Sequence, residues 1–360
     1  MTGGGIYPAL AVHQVLENKS EAILWIGSEK GLEQNLLSPF KISFKPIPGG
    51  GVHGMKITKL PGNIYDLIRG YLKAKTIIMD FKPDVVFYTG GYIGVPVAFA
   101  ARKIRSVVFI PDIEPGLALK TIMRFAYRIL VSTDLSIRYI KHADRVKVTG
   151  YPLRKEIKAW NRKTGRAHFG IGSIEKVVLV FGGSKGAKSI NDALIPHINT
   201  LIENMHIIHI TGSENWEHCE ILRDNLTITH PEKYHAYPFL HNEMGAAFAA
   251  ADLVVCRAGA SIIGELPYFG LPAILTPYPH AWRYQYQNAD YLISNHAAVL
   301  LEDESLQTNL HVRITELMLD KNKLNAMKNN MQRLAVNDAA KTIARIIQEV
   351  GRKMKEGKKS

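Results

Sequence analysis

Adjacent glycines recur along this chain, at Gly3-Gly4, Gly90-Gly91 and Gly182-Gly183, and a helical pattern follows each pair. Glycine tolerates the positive φ of a sharp strand-to-helix turn and lets backbone N–H groups approach a ligand closely. A helix start adds unpaired N–H donors and a partial positive charge, and the combination suits a phosphate. The glycines sit among short runs rich in Val and Ile, at residues 85–88, 106–110, 177–181, 206–210, 253–256 and 273–276. A turn and a helix-like segment follow each run, an alternation that predicts parallel sheets covered by helices, the α/β class. None of the turns matches the P-loop or the full G-x-G-x-x-G fingerprint. One such pair is as readily a plain tight turn as a ligand cradle; three in one chain point to a phosphorylated ligand.

At 360 residues the chain exceeds one ordinary core, and two domains are expected. The turn Gly150-Tyr151-Pro152 and the polar stretch 155–170, broken by Gly165, mark the boundary. On either side the chain reads as a set of β-α units. Thr2-Gly3-Gly4-Gly5 reads as a turn that belongs after a strand, and Ile6–Leu16 as the helix after it. No strand is read ahead of that turn, so the expectation is a start codon assigned too far downstream, the alternative being a chain that lacks the first strand of its sheet.

Hydrophobic content of 46% and charged content of 21% are those of a soluble globular protein. No apolar run approaches the roughly 20 residues of a membrane span, and no basic-then-apolar leader follows Met1. Two cysteines, Cys219 and Cys256, build neither a disulfide framework nor a four-cysteine metal site, and fit a reducing cytoplasm. The net charge of +13 is uneven: residues 1–150 carry 20 Lys and Arg against 11 Asp and Glu, whereas residues 151–350 carry 20 of each. Such a field draws an anionic surface, either nucleic acid or membrane, or serves only solubility.

The second half holds the sharper constellation. The strand at 253–256 runs into Arg257-Ala258-Gly259-Ala260-Ser261 and then a helix containing Glu265. Small residues at 258–261 leave room for a diphosphate at the helix start. Glu265, about one turn in, is placed to accept hydrogen bonds from two vicinal hydroxyls such as those of ribose; read locally, it is equally a first-turn acid favoured by the helix dipole. Beyond the next strand, Gln285 and Asn288 share a helix face by their i, i+3 spacing. Paired amides suit a neutral, hydroxyl-rich ligand, or a solvated face.

In order along the chain, Thr2-Gly3-Gly4-Gly5-Ile6-Tyr7-Pro8, Thr89-Gly90-Gly91-Tyr92, Pro115-Gly116-Leu117, Gly182-Gly183-Ser184-Lys185-Gly186-Ala187, Cys256-Arg257-Ala258-Gly259-Ala260 and residues 283–289 together resemble MurG-type transferases. The resemblance covers nearly the whole chain. It implies a GT-B fold, two Rossmann-like domains facing across a cleft: residues 1–153 on the acceptor and membrane side, 154–335 on the UDP-sugar side, and 336–360 a helix crossing back to the first domain plus a basic tail. It implies inverting transfer of N-acetylglucosamine from UDP-N-acetylglucosamine to the lipid-linked acceptor lipid I, without metal or other cofactor, on the cytoplasmic face of the cell membrane. On this resemblance the turns at Thr2, Gly3, Gly4, Gly5, Gly183 and Ser184, with Ser261, bind substrate. Glu265 holds ribose, and the backbone near Leu240 reads uracil. Ala260, Gln285 and Asn288 touch the sugar, Arg154 approaches the diphosphate, and Tyr92 lines the acceptor side.

The departures fall mostly on the acceptor side. Gly5 stands where the family has a histidine usually assigned a catalytic role, and Phe109-Ile110-Pro111-Asp112 replaces His-Glu-Gln-Asn. Tyr151 and Tyr284 replace an asparagine and a glutamine. Attack by a sugar hydroxyl needs a base within hydrogen-bond reach, and Asp112 is the expected one, ahead of Glu114 and of His53. Residues 41–82 carry eight Lys and Arg against two Asp. Leu60, Ile64, Leu67, Ile68, Tyr71 and Leu72 there follow helical spacing, flanked by Lys56, Lys59, Arg69, Lys73 and Lys75. That stripe suits an anionic leaflet, or packs into the domain core. Competing readings are a glycolipid-forming GT-B transferase with diacylglycerol as acceptor, an impaired UDP-sugar-binding homologue, and a UDP-sugar 2-epimerase. No nucleic acid partner is expected, because no nucleic-acid module accompanies the basic residues.

Overall fold

The computed structural model describes residues 5–29, 31, 33–40, 42–50, 60–280 and 283–356. The chain divides into two compact units, residues 1–154 with 338–360, and residues 155–337. Strands are numbered along the chain. In the first unit they are β1 (Leu24–Ser28), β2 (Ser43–Ile47), β3 (Val86–Tyr88), β4 (Ser106–Ile110), β5 (Arg128–Val131) and β6 (Val146–Val148). In the second they are β7 (Val177–Phe181), β8 (His206–Ile210), β9 (Tyr234–Tyr237), β10 (Leu253–Cys256), β11 (Ala273–Leu275) and β12 (Ala298–Leu300).

The second unit forms one parallel sheet in the order β12-β11-β10-β7-β8-β9. Chain order reverses between β7 and β10, which makes that pair the topological switch point of a doubly wound sheet. Every residue of β7, β8 and β10 is buried, as expected of strands covered on both faces by helices. Their β-branched and apolar content is what made them readable in the sequence.

The first unit is built differently. β3-β4-β5-β6 form a parallel sheet of four strands, and β1-β2 form a separate parallel pair. Helix Ile6–Leu16 precedes β1, and helix Leu60–Phe81 precedes β3. The long C-terminal helix Ala339–Glu356 packs on helix Ile6–Leu16 in this unit. It buries Ile343, Ile346, Ile347 and Val350 while Lys341, Arg345 and Arg352 stay exposed, a 3.6-residue apolar stripe.

The stretch 155–170, polar in the sequence, folds inside the second unit as helices Lys155–Lys158 and Arg162–His168. The second of these starts at a reciprocal cap between Asn161 and Thr164. Buried Arg166 ties its end to the sheet through Asp252, 2.9 Å away, and through the carbonyls of Gly172 and Glu175.

Candidate donor site and acceptor-side residues

Two turns leave the sheet of the second unit side by side. β7 and β10 are hydrogen-bonded neighbours with Phe181 opposite Cys256, so residues 182–187 and 257–261 begin at the same level. Gly182 is required by close approach: a Cβ there would lie 2.1 Å from the backbone nitrogen of Ala187. Gly183 has φ +93, in the region favouring glycine. A Cβ at Gly183 or at Gly259 would meet no atom within 4 Å, so each turn borders open space. Ser184 is exposed and Ala260 buried. Ser261 is the N-cap of helix Ile262–Phe269 and makes no side-chain cap.

Backbone bonds tighten that helix start. Ile262, Ile263 and Gly264 donate to the carbonyls of Gly259, Ala260 and Ser261, so the N–H groups left to face a ligand are those ahead of Ile262. Glu265 lies in the first turn, half-buried. Burial first, and the charge of Glu265 second, push the thiol of Cys256 upward from its ordinary value; Cys256 is therefore an inert core residue.

The two amides of helix Tyr284–Ser294 do more than face a sugar. The Asn288 side chain is fully buried and donates through Nδ2 to the carbonyl of Ala258, 3.1 Å away. The Gln285 Oε1 accepts from the backbone N–H of Tyr278 at 2.8 Å. The pair staples this helix to the loops after β10 and β11, and the Nε2 of Gln285 is a donor not used in that bond. A cluster that sequence reasoning missed sits below. Arg257 is 8% exposed, bonds Asp303, Ser189 Oγ and the carbonyls of Thr276 and Pro277, and lies over the ring of Tyr278. It thereby fixes the loop between β10 and Ser261; a charged residue ending an apolar strand was the only sequence signal. Leu240 follows β9, the strand at one edge of the sheet.

In the first unit, Thr2, Gly3, Gly4, His53, Lys56 and Lys59 lie outside the described residues. Gly5 is the N-cap of helix Ile6–Leu16, and its carbonyl accepts a 2.7 Å bond from Thr89 Oγ1. Gly90 and Gly91 both have positive φ, at 129° and 79°, and Tyr92 occupies the turn after them. Arg154 stacks on Tyr7, 4.4 Å from the ring centroid, which ties the end of this unit to the first turn of helix Ile6–Leu16. Asp112 follows β4 and is half-buried. The next helix, Leu117–Ile122, has Gly116 at its N-cap. Glu114 is buried and accepts from Lys120 at 3.2 Å. Helix Leu60–Phe81 exposes Ile64, Tyr65, Ile68, Leu72 and Met79, while Gly70 and Ala74 are buried on its other side. Of the apolar stripe read in the sequence, Leu67 and Tyr71 are half-buried, and Ile64, Ile68 and Leu72 face solvent.

Comparison with known proteins adds family to geometry. Residues 2–131 match the glycosyltransferase family 28 N-terminal domain, and residues 177–343 its C-terminal domain. The chain is 35% identical to a UDP-N-acetylglucosamine–N-acetylmuramyl-(pentapeptide) pyrophosphoryl-undecaprenol N-acetylglucosamine transferase of Halothermothrix orenii, over 98% of this chain and 97% of that protein. It is 34% identical to the protein of the same description from Desulforamulus reducens, over 97% and 96%. Among solved structures, MurG of Acinetobacter baumannii superposes with a TM-score of 0.73 at 24% identity, covering 97% of each chain. A UDP-GlcNAc 2-epimerase from Neisseria meningitidis superposes with 0.67 at 15% identity, covering 96% of each. At these identities the structural likeness shows the fold alone, and that fold is GT-B.

Proposed function

We propose that this chain, which belongs to the MurG family of glycosyltransferases, transfers N-acetylglucosamine from UDP-N-acetylglucosamine to lipid I and so makes lipid II for peptidoglycan. The observation that carries the donor half of this reading is the pair of open turns at the switch point between β7 and β10, where ligands of doubly wound sheets bind. The turn at Gly183 and Ser184 and the N–H groups at 259–261 hold the diphosphate. Glu265 accepts from the ribose hydroxyls, and Gln285 reaches the sugar through its Nε2. Arg257 and Asn288 act behind them by fixing the 257–261 loop. Leu240 reads the uracil through its backbone.

In the transfer step an acceptor hydroxyl oxygen attacks the anomeric carbon with inversion. The bond from that carbon to the diphosphate breaks, UDP leaves with the bonding pair, and the hydroxyl proton passes to Asp112. N–H groups and helix dipole stabilise the charge that develops on the diphosphate. Arg154 adds a positive charge toward the diphosphate, and Tyr92 lines the acceptor side. Glu114, held by Lys120, is the weaker base.

The exposed residues Ile64, Ile68 and Leu72 with Arg69 and Lys75 rest on the anionic surface of the membrane that carries the acceptor, on its cytoplasmic side. No described helix is long and apolar enough to cross a membrane. Incubation with UDP-N-acetylglucosamine and a short-chain lipid I analogue tests the function. Disaccharide formation is expected. Binding of UDP-sugar without transfer, or formation of an epimer without acceptor, overturns it.

A further inference from the structure

The loop after β11 carries an exposed aromatic corner. β11 lies beside β10, with Leu275 opposite Cys256, so residues 276–280 rise next to the loop 257–261. Arg257 fastens the two loops together: its Nη1 donates to the carbonyls of Thr276 and Pro277 at 3.2 and 3.3 Å. Its guanidinium also lies over the ring of Tyr278, 5.4 Å from the centroid. Arg257 is 8% exposed and Tyr278 44%, so a buried cation holds from below a side chain that borders solvent. His280 stands nearly perpendicular to that ring, at 84° with 5.4 Å between centroids, and is exposed as well.

Tyr278 is also joined to the amides of helix Tyr284–Ser294. Its backbone N–H donates to Gln285 Oε1 at 2.8 Å, so the ring and the Gln285 amide keep a fixed relation. A flat apolar ring beside a hydrogen-bonding amide matches a pyranose, which has faces of C–H groups and an edge of hydroxyls. The C–H face leaves water on an aromatic plane, and the hydroxyls need polar partners. A diphosphate, polar on all sides, gains nothing from the ring. With uracil at Leu240 after β9, β11 lies on the other side of β7 and β10, which puts the ring on the sugar side of the diphosphate.

We propose that Tyr278 is the platform for the sugar of the donor: the N-acetylglucosamine ring lays a C–H face on the phenol ring while Gln285 Nε2 bonds its hydroxyls. The inference rests on the proposed use of UDP-N-acetylglucosamine. Arg257 and the bond to Gln285 pin the residue before the donor arrives, so little side-chain freedom is lost on binding. Removing the ring therefore loosens the hold on the sugar and leaves the hold on the nucleotide.

Calorimetry with UDP and with UDP-N-acetylglucosamine, on the parent chain, Tyr278→Ala and Tyr278→Phe, tests this. Tyr278→Ala is expected to weaken UDP-N-acetylglucosamine about tenfold and UDP less than about twofold, from the apolar area an aromatic ring covers. Tyr278→Phe keeps the plane and is expected to restore most of the loss. Equal losses for the two ligands in Tyr278→Ala give the ring a structural or nucleotide-binding role and overturn the proposal. Unchanged affinity for the sugar nucleotide, with UDP still bound, overturns the platform alone. A parent chain that binds neither ligand overturns the donor reading and the platform with it. If Tyr278→Ala does not fold, transferred nuclear Overhauser effects are read on protein protonated only at its tyrosine rings. Contacts from pyranose protons that vanish in Tyr278→Phe are expected, and their absence in the parent chain overturns the proposal.

Discussion

The second unit holds one unbroken sheet of six strands, whereas the first holds a sheet of four beside a pair. Each holds a helix entered from glycine, through the turn after Gly182-Gly183 in the second unit and from Gly5 in the first. In the second unit that turn issues from β7, bonded on both edges, and its neighbour issues from β10 in register with it. Two rigid strands therefore aim their loops, and buried side chains from elsewhere, Arg257 and Asn288, lock the second loop. In the first unit the matching turn is tied to the rest by Thr89 and by the stacking of Arg154 on Tyr7. A donor site can be preorganised by a sheet interior; the acceptor-side residues here depend on fewer, more local ties.

That contrast is sharpest at the proposed proton acceptor, Asp112. Asp112→Asn keeps the shape of the loop after β4 and removes its basicity. Turnover is expected to fall by roughly 10²–10⁴, with UDP affinity unchanged by calorimetry. A fall under about fivefold removes Asp112 as the base and points to Glu114 or to an impaired enzyme.

The core of the second unit carries a titratable group of its own. Burial pushes the imidazole of His209 down from 6.5 to about 3. Asn191 Oδ1 accepts from its Nε2–H at 3.0 Å, and the Tyr234 hydroxyl lies 2.9 Å from Nδ1. The unfolded chain takes up a proton below pH 6.5 that the folded unit refuses, so the contribution is present in full above 6.5 and lost as pH falls. The loss is about 1.4 kcal/mol per pH unit between 6.5 and about 3. Urea unfolding of the second unit at pH 7 and pH 5 should show it, and His209→Gln should flatten the dependence. An equally steep dependence in that variant removes His209 as the cause.

In its proposed role, Glu265→Ala removes two charge-assisted bonds to ribose, each worth on the order of 1.5–3 kcal/mol. UDP binding is expected to weaken at least about tenfold, with the stability of the first unit unaltered; unchanged affinity rejects the ribose role. The smallest effect belongs to the proposed membrane-facing helix of the first unit, Leu60–Phe81. Lys75→Ala should weaken binding to anionic vesicles about fivefold, from about 1 kcal/mol per basic residue near the surface. Lys73 is already paired with Glu29 at 2.8 Å, so Lys73→Ala should cost less. Retention should fall as salt rises, and equal binding to neutral vesicles contradicts the electrostatic part of the idea.

The sequence by itself determined part of the architecture: the apolar runs mark β3, β4, β7, β8, β10 and β11, whereas β1, β2, β5, β6, β9 and β12 were not read from it. Runs such as Val177–Phe181 and Leu253–Cys256 are strands as read, because a strand covered on both faces must be apolar throughout. Helix Ile6–Leu16 also has the ends that the sequence gives it. Glycine turns were legible because positive φ restricts residue type. Tertiary structure decided which strands are neighbours, and so which turns meet. It also decided that Asn288 and Gln285 spend bonds on backbone groups of other loops, and that Arg257 reaches Asp303, far along the chain. Local sequence records the spacing of residues on their own helix or strand. The partner of a buried amide or guanidinium is set by how strands are ordered in a sheet, and that order is a property of the packed whole.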